Sequence, residues 1–308
     1  ANYGGVIDVF YKIKTFHKMG LKVHLHCFEY GRGEQFELNK YCESVTYYKR
    51  NTSVLNLLSK LPFIVKSRVS IDLKNNLLSN DYPILFEGLH TCYLLKDKDL
   101  KSRIKIYRES NIEHDYYRSL ALSERNYFKK IYLKREANKL EKFEKIVENA
   151  THSLLVSKTD YYYFKSKYPN NSNHFLPSFH SGEIINIEKG IGEFVLYHGN
   201  LSVSENYEAV FYLIRNVFSV LEIPFVVAGL NPPDFLEIEI NKHSHITLVK
   251  SPTDEEMKRL IKTAQINLLY TNQATGLKLK LINVLYNGRF CIVNSKMVDG
   301  TTLNSICD

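Results

Sequence analysis

The chain has 308 residues and only five cysteines, Cys27, Cys42, Cys92, Cys291 and Cys307. No two form a CxxC pair, the number is odd and the spacing irregular. That argues against a zinc ribbon or a disulfide framework and for reduced thiols in a cytosolic protein. No HExxH and no clustered Asp/His ligand set occurs, so a metal is not indicated. There is no Walker loop and no GxSxG nucleophile motif. No apolar run reaches the roughly 18 residues of a membrane span, and no signal peptide is visible. Repeats of solenoid length and low-complexity tracts are also missing. Without a helix-turn-helix or RNP pattern, nucleic acid is not an expected partner.

What is present is an uneven charge. The net charge is +8, yet residues 181–308 carry 11 Lys+Arg against 14 Asp+Glu, which leaves 30 against 19 for residues 1–180. The first half is therefore the basic one. Such a face suits phosphate-bearing ligands or anionic lipid, although a solvated basic surface reads the same way. The length points to two domains.

The order of patterns supports that division. After "ANYGG", Val6, Val9, Phe10, Ile13 and Phe16 recur at helical spacing. "LKVHLHCF" then alternates like a strand. Strand-like runs follow in "SVTYYKR" and at 82–88, 104–110 and 152–158. A helical pattern covers 124–148, with Leu133, Ala137, Leu140, Phe143 and Val147 on its buried side. "LPSFHSGE" and "EKGIGE" look like a hinge. Beyond it, strands are expected at 193–199, 224–230, 245–251, 266–272 and 290–295, and helices at 204–220, 253–264 and 276–287. Alternating β and α predicts parallel sheets covered on both faces. The expectation is a bilobed α/β protein of two Rossmann-like domains facing across a cleft, 1–180 and 181–308.

Ligands of open parallel sheets bind beyond the carboxyl ends of the strands. Gly4 and Gly5 precede a helix and could bring N–H groups to a phosphate, or simply make a tight turn. Gly199 and Asn200, in "YHGNLS", offer close approach and a polar contact, or a turn. "ATGLKLKL" puts Lys278 and Lys280 in a first helical turn, where the backbone is already positive. An anion on Gly276, Leu277 and Lys278 would resolve that conflict. Residues two apart cannot share a helix face, so only one lysine should point at the anion, and Lys278 is nearer the terminus. His90 in "FEGLH" and His114 in "NIEHDYY" each follow a first-half strand and are catalytic or structural histidines.

These segments occur in a recognisable order: the Gly-Gly loop, "YHGNLSVSEN", "VVAGLNP", "LVKSPTDEEMKRLIKTAQINLLYT" and "TGLKLKLINVLYNGRFCIVN". The sequence resembles the group-1 (family 4) glycosyltransferases of GT-B fold over nearly its whole length. "EGLHTCYLL" and "NIEHDYYRSLALSERNYFKKIY" look like a sub-group common in Bacteroidetes. The resemblance implies retaining transfer from a nucleoside-diphosphate sugar, with no metal or other cofactor. It implies base contacts through the loop of Lys250 and Ser251. It also implies truncation at both ends, before the Gly-Gly loop and after "TTLNSICD". Two family glutamates fall on Thr275 and Asn283, of which Asn283 can still hydrogen-bond ribose hydroxyls. The family's Arg and Lys after the first strand of the second domain fall on Asn200 and Glu205, and its first-domain histidine falls on Ser110. His90 or His114 is the expected substitute.

Breaking a glycosidic bond builds oxocarbenium character on the sugar and charge on the leaving diphosphate. Each preorganised donor aimed at that charge is typically worth about 3–4 kcal/mol. The expected partners are a nucleotide sugar and a glycan or lipid-linked acceptor. Localisation is expected to be cytoplasmic; Lys129, Lys130, Lys134, Arg135, Lys139 and Lys142 are either a face for peripheral contact with the inner membrane or, as the interleaved Glu136 and Glu141 favour, a solvated helix. The alternative is a degenerate GT-B module that binds a nucleotide sugar or a partner enzyme without turnover.

Overall fold

The computed structural model describes residues 4–29, 31, 33–182, 184–272, 279–299, 301 and 303. Its contacts divide the chain into two units. The first holds residues 1–121, 127–179 and 275–277; the second holds 122–126, 180–274 and 278–308.

In the first unit, helix α1 (Gly4–Lys18) leads to β1 (His24–Phe28) and β2 (Ser44–Tyr48), which pair in parallel. Short helices α2 (Phe63–Lys66) and α3 (Ile71–Leu78) precede β3 (Ile84–Glu87) and β4 (Lys105–Arg108). Then come α4 (Glu113–Ser123), α5 (Tyr127–Glu144), β5 (His152–Leu155), α6 (Lys158–Lys167) and β6 (Ser172–Phe175). Strands β3 to β6 form a parallel sheet in chain order. The helical pattern at 124–148 becomes α5 plus a 3-10 turn, and Leu133, Ala137, Leu140 and Val147 are buried as the spacing requires.

Helix α1 departs from the expectation in two ways. Gly4 and Gly5 are its first residues rather than a loop ahead of it. Its most buried side chains besides Ile13 are charged: Asp8 is 7% exposed and Lys12 is 1% exposed. Lys12 Nζ lies 3.0 Å from Asp8 Oδ2 and 2.6 Å from Glu87 Oε1. Asp8 Oδ1 accepts the Phe179 N–H at 2.6 Å, while Arg108, 1% exposed, donates to the Leu176 and Pro177 carbonyls. A buried charge is tolerated only when paired in this way. The network fixes the end of the first unit at residues 176–179.

The second unit alternates regularly: β7 (Val195–Asn200), α7 (Ser204–Leu213), β8 (Phe225–Leu230), α8 (Asp234–Ile240), β9 (Ile246–Lys250), α9 (Asp254–Thr263), β10 (Ile266–Leu269), α10 (Leu279–Asn287), β11 (Phe290–Val293) and α11 (Ser295–Val298). All pairs in its sheet are parallel, in the order β11-β10-β7-β8-β9. Central β7 is buried on both faces, which matches its near-continuous apolar run. One core on α7 and α8 contains Tyr197, Phe211 and Phe225; the other, under α9 and α10, contains Leu196, Ile261 and Leu281. The helix expected at 204–220 continues past Leu213 as a π turn over Ile214–Phe218. Helix α9 is closed by a capping box, with Thr253 Oγ1 on the Glu256 N–H and Glu256 Oε2 on the Thr253 N–H.

Candidate functional site

The carboxyl end of β7 carries "HGN". Gly199 pairs with Gly229 of β8, and a Cβ on Gly229 would lie 1.9 Å from the Gly199 carbonyl oxygen. Only glycine lets the two strands approach so closely there. Asn200 Oδ1 accepts from Ser202 N at 3.1 Å and from Ser202 Oγ at 2.7 Å, while Asn206 Nδ2 donates to the Asn200 carbonyl at 2.8 Å. The side-chain oxygen of Asn200 thus shapes the turn.

Helix α10 starts beside this strand end. Lys280, in its first described turn, places Nζ 5.4 Å from the ring centre of fully buried Tyr197. Beside it His198 is only 6% exposed, and its Nε2 is buried with no hydrogen-bond partner among the described residues. Burial and the Lys280 charge push this imidazole down to about 3, so it is neutral in the folded chain. A buried unpaired nitrogen costs free energy and calls for a partner. Glu205, on α7, accepts from the Thr271 hydroxyl. Asn283 accepts from Asn287 Nδ2 with its backbone and side-chain oxygens, at 2.9 and 3.0 Å. Thr275, Gly276, Leu277 and Lys278 lie outside the described residues.

The loops after β8 and β9 are coupled. Asn231 and Ser251 both take φ of 46°, Asn231 N donates to Ser251 Oγ at 3.3 Å, and Ser251 N donates to the Gly229 carbonyl at 2.8 Å. Such left-handed backbone is uncommon for serine and is stabilised here by its neighbours. Lys250 Nζ pairs with Glu237 Oε2 at 2.6 Å.

In the first unit the two candidate histidines differ. His90 follows β3 and packs on Gly88, which has φ of 76° and whose Cβ would lie 2.6 Å from the imidazole. Burial, then Arg68 and Arg50, lower His90 to about 3. His114 is an interior residue, 2% exposed, with Nδ1 3.0 Å from Glu144 Oε2. Glu144 Oε1 accepts from the Tyr163 and Tyr168 hydroxyls and from Lys167. Burial raises that carboxyl, and His114 and Lys167 more than offset it. This is the arrangement of a structural hub joining α4, α5 and α6.

Two features escaped the sequence reading. Glu113, next to His114, is 8% exposed and raised to about 7, by burial against the opposing pull of Arg68 and His114. A wide-open depression of about 430 Å³ beyond β1 and β2 is lined by Glu29, Gly31, Lys49, Arg50 and Thr52. The "KR" at the end of the β2 run was the available signal for the second. Nothing local marks Glu113, because its raised value comes from burial in the folded unit.

No family model matches the sequence. An uncharacterised 44.6 kDa protein in the cps region of Klebsiella pneumoniae is 26% identical over 323 aligned residues, covering 99% of this chain and 82% of that protein. Among solved structures, a UDP-forming α,α-trehalose-phosphate synthase from Burkholderia xenovorans, in complex with glucose-6-phosphate, gives a TM-score of 0.59 at 8% identity, covering 97% of this chain and 83% of that one. UGT71G1 of Medicago truncatula, complexed with UDP-glucose, gives 0.51 at 8% identity, covering 86% and 73%. UGT2 of Phytolacca americana, complexed with UDP-2fluoro-glucose and pterostilbene, gives 0.51 at 12% identity, covering 87% and 74%. At such identities the likeness is one of fold, and the fold of this chain is that of the GT-B glycosyltransferases.

Proposed function

We propose that the chain transfers a sugar from a nucleoside-diphosphate sugar to a glycan or lipid-linked acceptor in cell-surface polysaccharide synthesis. The observation that carries this reading is the end of β7, where Lys280 and His198, whose Nε2 has no partner among the described residues, stand beside the Gly199–Gly229 approach. A cation and a hydrogen-bonding nitrogen without a described partner suit a leaving diphosphate. Complexes of similar structures with UDP-sugars, and a relative from a cps region, support the substrate class and setting. The retaining course without a metal follows the sequence resemblance. Of the two first-unit histidines His90 is kept as the catalytic candidate, since His114 pairs with Glu144.

The test is a thermal-shift and hydrolysis screen of UDP, GDP and their sugars. A ligand that binds only the native state raises its stability by mass action. Neither binding nor hydrolysis with any member would sink the reading. A second reading, a module that binds without turnover, is favoured by Glu205, an acid where the family carries a cation. Binding unaccompanied by transfer or hydrolysis, and unaltered by His90→Ala, would select it.

A further inference from the structure

Residues 184–191 of the second unit include four isoleucines, and the fold leaves them outside: Ile184 is 80% exposed, Ile185 67% and Ile191 90%. A surface segment without helix or strand is ordinarily polar, and so dense an aliphatic patch marks a place where another surface binds. The segment is held in place rather than loose. Asn186 N donates to the Tyr286 carbonyl of α10 at 2.7 Å, and Gly192 N donates to Gln265 Oε1 at 2.6 Å. A Cβ on Gly192 would lie 2.4 Å from the Gln265 nitrogen, so the backbone is pressed against the chain just ahead of β10. The backbone is thus bound to the unit while the isoleucines stay in solvent.

The surrounding charge narrows the choice of partner. Residues 181–193 hold three glutamates against one lysine, and Glu188 and Glu193 are exposed. Glu188 Oε2 lies 3.8 Å from an Arg289 guanidinium nitrogen, and its side chain stays half exposed. Anionic lipid and nucleic acid are repelled by such a surface, so its complement is an apolar, cationic protein surface. The first unit presents one. The 3-10 helix Val54–Leu58 leaves Val54, Leu55 and Leu58 at least 75% exposed, and residues 49–71 contain five Lys and Arg and no acid. Ser53 Oγ caps this tip by accepting the Leu55 N–H, and Asn56 anchors it by donating to the Asn51 carbonyl at 2.7 Å.

We propose that residues 184–191 of one chain dock on the Val54–Leu58 tip of a second copy of the same chain. The isoleucines and the tip form an apolar centre, and Glu188 and Glu193 meet the cations around the tip, Lys49 and Lys60 among them. An apolar centre ringed by complementary charge is the usual anatomy of a protein–protein contact. The chain is basic before residue 180 and acidic after it, which favours this unlike pairing over contact of like units. In a twofold pair the contact occurs twice, once in each direction. The pairing does not rest on the proposed transfer reaction, and either can fail alone.

Light scattering during size-exclusion chromatography tests the pairing. The full chain should show the mass of a dimer at about 100 µM and fall toward that of a monomer on dilution. Two triple variants replace exposed side chains only: Ile184→Ser, Ile185→Ser, Ile191→Ser in the segment and Val54→Ser, Leu55→Ser, Leu58→Ser in the tip. Both should keep the wild-type melting temperature, and each alone should be monomeric. Mixed together they should associate again, more weakly than wild type, because one intact segment still meets one intact tip. Lys60→Glu should weaken the wild-type dimer about fivefold, and added salt should weaken it further. A monomer at every concentration would overturn the proposal. So would a dimer that only one of the triple variants breaks, since that is contact of like patches, and so would a mixture that stays monomeric although both variants melt like wild type.

Discussion

Single side chains carry the proposed anion binding, and His198 offers the sharpest test. Its Nε2 is buried without a described partner. Replacing an unsatisfied polar group by an apolar one of similar shape is close to neutral or stabilising. We expect His198→Phe to melt at or above the wild-type temperature yet bind UDP more weakly. A structural histidine would give the opposite pattern, a lower melting temperature with binding intact. Lys280→Ala should weaken diphosphate binding too, by about 1.5–3 kcal/mol if it makes one charged hydrogen bond, and calorimetric titration with UDP measures it. The sequence pointed to Lys278 and Lys280 alike, because a cation in a first helical turn conflicts with the backbone dipole, and it favoured Lys278, which lies outside the described residues. It hid His198, which reads as one more residue of an apolar strand. The buried Asp8–Lys12–Glu87 network was equally hidden, since Glu87 lies 75 positions from Lys12.

At the level of elements, most of the second unit could be read in advance. Five apolar runs alternate with amphipathic helices, and all five became strands. Helix α9 announced its start through Thr253 and Glu256. Thr253→Ala should cost about 1 kcal/mol of stability, measurable by urea unfolding. Gly229→Ala should be harsher, about 1–3 kcal/mol or more, because a backbone oxygen occupies the space its methyl would need. Less was legible in the first unit. Strand β6, "SNHF", has almost no apolar residues and lies mostly exposed at a sheet edge, so no alternation marks it. The π turn after α7 was read as plain helix because its apolar residues keep a helical rhythm. Stacking of Phe218 on Phe225, with ring centres 3.8 Å apart, anchors its end.

For the whole molecule, acid should be the stress that matters most. His90 and His198, one in each unit, are both lowered to about 3. Unfolded histidines titrate near 6.5. Between those values the unfolded chain holds the extra protons, so stability falls as pH falls. Glu113, raised to about 7, acts in the opposite sense: the folded chain keeps its proton above 4.5, and stability falls as pH rises through that window. The two effects partly cancel from about pH 4.5 to 6.5, below which the imidazoles dominate among these three groups. His198→Phe should remove up to one proton from the slope, about 1.4 kcal/mol per pH unit, in urea titrations across this range. The order β11-β10-β7-β8-β9 also sets a schedule for synthesis. Chains emerge N-terminus first, and β7, β8 and β9 are complete by Lys250. Strand β10 and helix α10 come later, to the other side of β7. Three of the five strands are thus available before the chain carrying Lys280 exists, and that lysine arrives after the scaffold that will bear it.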